Sequence, residues 1–366
     1  MPQFENVMMR RVFWSVFSLF VIISATTPQL GRAQLPNSGS TELDTLLEQG
    51  REFVEAKNWT AALDRFQQAA QIDRQNARIF SGIGFIQAQQ GNFQAAIAAY
   101  QQAVALEPDN ADFVYALGFS WASFGNDAEA ISAYRRATEL NNRSFNAFLG
   151  LGTVLMREEQ YDQALIAYRR AAAIAPRNAQ AIEAIGLVQL QIGRPTDAIA
   201  TLQRAAQLDP RRGSVQLGLG MAMLAQGNRQ AASMAFNRAV RISPNDSRIH
   251  YQIGKLLQDA EDRKGAIAAY QRAVNLNPNF VEAQMAIADL AFEQNDSMRA
   301  ILAYGEVIRI APNNARAYYQ LGLALKLRNR TDEAIDALQT ARSLFEQQGQ
   351  RENAEKAAKA LESTKP

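Results

Sequence analysis

One glycine spacing constrains this chain more than any other feature. Gly50, Gly84, Gly118, Gly152, Gly186, Gly220 and Gly254 follow one another at intervals of 34 residues; the next step falls on Ala288 and the last on Gly322. Twelve residues after each of these nine positions stands an alanine, from Ala62 to Ala334 without exception. Seven residues further on, a second alanine position runs from Ala69 to Ala341 and is broken only by Val307. Pro108, Pro176, Pro210, Pro244, Pro278 and Pro312 close six of the units. Nine units in register, with no insertion or deletion, cover residues 43–348. A fixed period of this length belongs to arrays in which each unit buries its apolar face only against its neighbours.

Within a unit the apolar pattern is helical. Phe80, Ile83 and Ile86, with the small Gly84 among them, recur at helix spacing. After Gln90-Gly91-Asn92, the residues Ala96, Ile97, Tyr100, Ala103 and Val104 form a second apolar stripe. Glu107-Pro108-Asp109-Asn110 ends it, because proline lacks the backbone donor and disfavours helix in the residue before it. Each unit is therefore expected to be an antiparallel helix pair. Gly84 and Ala96 leave room where the two helices meet, and Tyr100 fills the space toward the next unit. Residues 34–42 read as a polar linker, with Thr41 and Asp44 spaced as a capping box. Residues 349–366 read as a capping helix and tail, with Ala354, Ala357, Ala358 and Leu361 on one face.

These residues resemble the tetratricopeptide repeat family, whose units carry a large residue, Leu-Gly, Ala, an aromatic, Ala and Pro. Residues 77–110 match as Phe80, Ile83-Gly84, Ala96, Tyr100, Ala103 and Pro108, and residues 145–178 as Phe148, Leu151-Gly152, Ala164, Tyr168, Ala171 and Pro176. The nine units are 43–76, 77–110, 111–144, 145–178, 179–212, 213–246, 247–280, 281–314 and 315–348. Departures are mild: Arg74, Asn142 and Glu346 replace the proline, and Leu202 and Leu338 the aromatic. The resemblance implies an all-α, right-handed superhelical solenoid of antiparallel helix pairs. It also implies a concave groove lined by positions 2, 5, 9 and 12 of each first helix. Those positions include Tyr115, Phe119, Leu149, Met156, Leu187, Leu190, Leu217, Met221, Leu224 and Tyr251. Most are large and apolar where the family exposes them, which predicts a docking face for an apolar or amphipathic segment of a partner protein. Position 9 holds no asparagine in any unit, so the lysine–asparagine clamp of chaperone-binding members is absent.

Composition closes off most chemistry. There is no cysteine, which excludes disulfides, thiolate metal sites and cysteine nucleophiles. The only histidine, His250, stands in the slot filled elsewhere by Phe80, Val114 and Phe148 and reads as a packed side chain. Gly82-Ile-Gly84 and Gly150-Leu-Gly152 do not continue as phosphate loops. No catalytic constellation survives, and the chain is read as a non-enzyme. Asp259, Glu282, Asp289 and Glu293 form an acidic set of the kind that holds Mn²⁺ or Ca²⁺. Stacking of Arg248 on Glu282 and of Lys255 on Asp289 would account for that set by ion pairing instead, so no cofactor is assigned.

The N-terminus reads as an export signal. Arg10-Arg11 precede fourteen uncharged residues, Val12 to Ala25, and Gly31-Arg32-Ala33 ends in a small-x-small cut site, giving a secretory signal peptide over residues 1–33. The apolar run is short against the roughly 20 residues of a membrane span, which favours a cleaved signal, with membrane contact peripheral at most, over the alternative of an uncleaved membrane anchor. Beyond residue 33 the two charge signs balance at 35 each. That balance gives no general pull on nucleic acid. Export, repeat count and chain size resemble family members of the periplasm or an equivalent lumen that assist assembly of membrane complexes, photosystem II among them. A cell-envelope adaptor for polysaccharide export or secretion, or a divalent-metal delivery protein, shares the same features.

Overall fold

Asparagine and aspartate side chains decide where most of the helices begin. The computed structural model describes residues 41–364, and among these it contains nineteen α-helices and no strand. The signal peptide and most of the expected linker lie outside the described residues; Thr41 and Glu42 already belong to the first helix. The chain divides into two compact units, one ending at Pro210 and the other beginning at Arg211.

The first unit holds α1 (Thr41–Glu55), α2 (Trp59–Ile72), α3 (Ala77–Gln89), α4 (Phe93–Leu106), α5 (Ala111–Phe124), α6 (Asp127–Leu140), α7 (Phe145–Arg157), α8 (Tyr161–Ile174), α9 (Ala179–Gln191) and α10 (Pro195–Leu208). Asn58, Asn76, Asn110, Asn126, Ser144 and Asn178 each accept a backbone N–H of the helix that follows. Asn110 Oδ1, for instance, lies 3.2 Å from the Asp112 nitrogen and 3.3 Å from that of Phe113. Such a cap stabilises a helix by about 1 kcal/mol. The turn inside each repeat puts one residue into the left-handed region, at Lys57, Gly91, Gly125, Glu159 and Gly193. That conformation frees the chain to reverse direction after the first helix.

Within each unit, a first helix packs on the second helix of its own repeat, and that second helix on the first of the next. The residue at the centre of this packing is an aromatic. Tyr134 is fully buried between Gly118 of its own repeat and Gly150 of the following one, where an added Cβ would lie 3.0 and 2.7 Å from its ring. Phe66 sits the same way between Gly50 and Gly82. The ring thus fills the space toward the next repeat and also closes its own. First helices approach one another as well, α3 on α5 and α5 on α7.

The second unit holds α11 (Gly213–Ala225), α12 (Arg229–Ile242), α13 (Ser247–Asp259), α14 (Arg263–Leu276), α15 (Val281–Glu293), α16 (Ser297–Ile310), α17 (Ala315–Lys326), α18 (Thr331–Gln347) and α19 (Arg351–Glu362). Asn228, Asp246, Asp262, Asp296 and Asn314 cap helices here. Phe236, Tyr270 and Tyr304 are its central rings. The last helix, α19, buries Ala354 and Ala357 in one cluster with Phe345 of α18 and Ala315 of α17. Arg351, Glu352, Lys356 and Lys359 on α19 stay exposed.

Candidate functional site

The ten residues expected to line a groove all lie on first helices, but none of them is exposed. Leu149, Met156, Leu187, Leu217, Met221 and Tyr251 are buried, whereas Tyr115, Phe119, Leu190 and Leu224 are half-buried. The structure therefore differs from a broad open apolar patch. The reason is visible in the first unit, where neighbouring first helices touch and α7 is covered along most of its length. What remains reachable there is a rim of Tyr115 and Phe119 on α5 and Leu190 on α9. In the second unit Leu224 plays that part beside Met221.

Polar groups run through the same layer of the first unit. Thr153 of α7, one turn before Arg157, donates to the Leu149 carbonyl at 2.9 Å and lies 3.2 Å from the Tyr168 hydroxyl. The Tyr115 and Tyr134 rings lie 5.9 Å apart, tilted by 44° to each other. Burial pushes both hydroxyls well above the ordinary tyrosine range, so they stay protonated, and neither has a hydrogen-bond partner among the described residues. Arg157, at the end of α7, closes one edge. Its guanidinium donates to the Ala122 carbonyl on α5 at 3.2 Å and to the Asp127 carboxylate on α6. Burial raises the Asp127 pKa, against the opposing pull of Arg157. Nothing in the repeat pattern marks Arg157, because position 13 is no signature position; only the helix positions show that it ties two repeats together.

The acidic candidates are not gathered into a metal centre. Among the described residues no three acidic or histidine side chains stand close enough to share an ion. Asp289 is already engaged: its two oxygens accept from the Tyr304 hydroxyl at 2.7 Å and from Arg316 Nη2 at 2.6 Å. This corrects the expected pairing with Lys255, since the partner comes from the repeat after Asp289 and not the one before. Arg248 likewise pairs with Asp246 of its own helix cap. Glu282 is half-buried, and Asp259 and Glu293 are exposed at the ends of α13 and α15. His250 is half-buried and its Nε2 donates to the Pro244 carbonyl at 2.9 Å, a structural contact within the turn. Among the described residues no helix is long and apolar enough to cross a membrane.

Comparisons with known proteins agree with this geometry. The model of the cilia and flagella-associated protein 70 C-terminal domain matches residues 37–290, and a tetratricopeptide repeat model matches residues 285–348. No curated protein matches the chain in sequence. A tetratricopeptide repeat protein from Parabacteroides merdae superposes with a TM-score of 0.60 at 15% identity, covering 69% of this chain and 100% of its own. A chain of the APC/C hetero-tetramer Cut9–Hcn1 gives a TM-score of 0.56 at 20% identity, over 78% of this chain and 55% of its own. At these identities the likeness is one of fold.

Proposed function

The chain belongs to the tetratricopeptide repeat family and matches over more than half its length the cilia and flagella-associated protein 70 C-terminal domain, and from that premise we propose that its first-helix face binds an apolar or amphipathic segment of a partner protein. The fold is a protein-interaction scaffold. The observation that carries the finer reading is the rim of Tyr115, Phe119 and Leu190, large apolar side chains left half-buried over a buried apolar floor of Leu149, Met156 and Leu187. A docked helix or strand would cover the rim. In this reading the chain does no chemistry itself. The signal-like N-terminus supports delivery to the periplasm or an equivalent lumen. There the partner would be an exported segment of a membrane protein, with assembly of a complex such as photosystem II as the task.

The test uses the full chain as bait against detergent-solubilised membranes, beside a Tyr115→Glu/Phe119→Glu/Leu190→Glu variant whose helicity is checked by circular dichroism. Loss of specific partners by the variant alone supports the reading. Equal capture by both moves binding off this face and ends it.

A further inference from the structure

Three features meet on the outer face of α16 and on no other described second helix, although Ile166 and Met234 are nearly as exposed at the register of Leu302. Met298 and Leu302 stand one turn apart and are 49% and 68% exposed. Gly305, three residues on, lies exposed in mid-helix, and a Cβ placed there would meet nothing within 4 Å. The repeat register makes these choices conspicuous. Where Gly305 stands, the other eight repeats carry glutamine, arginine or asparagine, with Gln271 and Gln339 in the two neighbours. Met298 replaces Lys264 and Asp332 of those neighbours, and Leu302 replaces Ala268 and Asp336. A glycine in an exposed helix interior weakens the helix, and nothing among the described residues approaches it closely enough to require it.

We infer that this face is a self-association surface, on which α16 packs antiparallel against α16 of a second copy of the chain. The helix carries both halves of a fit: a projecting Leu302 and, one turn away, the gap over Gly305. A two-fold axis lets each copy supply both at once. About a midpoint between Leu302 and Ala303, Leu302 of one copy lies level between Leu302 and Gly305 of the other. The same midpoint sets Arg299 of one copy opposite Glu306 of the other, each three and a half residues from the axis and on the same flank of the apolar stripe. In the single chain these two make only exposed pairs along their own helix, Arg299 with Asp296 at 3.5 Å and Arg309 with Glu306 at 2.5 Å. Exposed pairs of that kind are weak enough to exchange partners. Charge, knob and gap are thus self-complementary, which favours a second copy over an unrelated protein.

Sedimentation velocity of the full chain over a concentration series should show reversible monomer–dimer exchange. Leu302→Glu and Gly305→Gln should each abolish the dimer. Gly305→Gln should do so while holding or raising the melting temperature, which separates lost association from lost folding. Arg299→Glu alone should weaken the dimer, and adding Glu306→Arg should restore it. The chain has no cysteine, so Leu302→Cys offers a clean cross-link under mild oxidant. Ile166→Cys, at the same register on α8 and 61% exposed, is the control. Faster dimer formation by Leu302→Cys supports the surface. A chain that stays monomeric throughout, or a Leu302→Cys that cross-links no faster than Ile166→Cys, overturns it.

Discussion

Two glycine-to-alanine changes in the second unit should shift stability in opposite directions, and the difference between them measures the packing of the repeat. Gly220 is mid-helix in α11 and Gly305 mid-helix in α16, so alanine gains each helix the same backbone term, about 0.5–1 kcal/mol. At Gly305 the new methyl enters open space. At Gly220 it would lie 2.3 Å from Phe236 Cε1 and 2.5 Å from Cδ1. The ring is fully buried and must move by about 1 Å to restore ordinary contact, a forced shift of the kind that costs about 1–3 kcal/mol in a packed core. Gly305→Ala should therefore stabilise by about 0.5–1 kcal/mol. Gly220→Ala should destabilise by up to about 2 kcal/mol once the same gain is subtracted. For a unit of this size each kcal/mol moves Tm by about 2–4 °C. The assay is urea and thermal unfolding followed by circular dichroism, at high dilution so that association contributes nothing. If both variants shift the same way by the same amount, Phe236 does not hold Gly220 as described, and the glycine ladder is not a packing device.

Three further outcomes follow from particular contacts. Tyr168→Phe removes a hydroxyl placed 3.2 Å from Thr153 and should cost about 1 kcal/mol in unfolding experiments, whereas Tyr134→Phe removes one with no partner and should be neutral or stabilising. Asp289→Ala leaves the buried Tyr304 hydroxyl without its acceptor and should cost about 1–3 kcal/mol, more than Arg316→Ala, whose side chain is nearly half exposed and leaves that bond in place. Burial lowers the Lys255 pKa below its ordinary 10.5, so across that interval the unfolded chain holds a proton that the folded chain has released. Stability should rise with pH there. Above pH 10 the buried tyrosines oppose this, since they stay protonated while unfolded ones ionise. Urea midpoints at neutral pH and just below pH 10 should show the wild type gaining on Lys255→Met.

The spacing of Gly50 to Gly322 and the matching alanines were enough to predict helix pairs in register, because small side chains at fixed intervals are a demand that packed helices make on sequence. The central rings could be read as well: Tyr134 lies where its register puts it, against one glycine of its own repeat and one of the next. The groove was legible only as a set of positions. Its residues stand on the first helices, but their exposure depends on how closely α5 and α7 approach, and no periodicity records that distance. Asp289 shows the same division. Its place on a helix face could be read from numbering, while its choice of Arg316 and Tyr304 over Lys255 was decided by which side chains could reach it. Local pattern determines which residues share a face, because a helix has a fixed period. Which of those faces stay open, and which charges meet, is decided by contacts between helices distant in sequence.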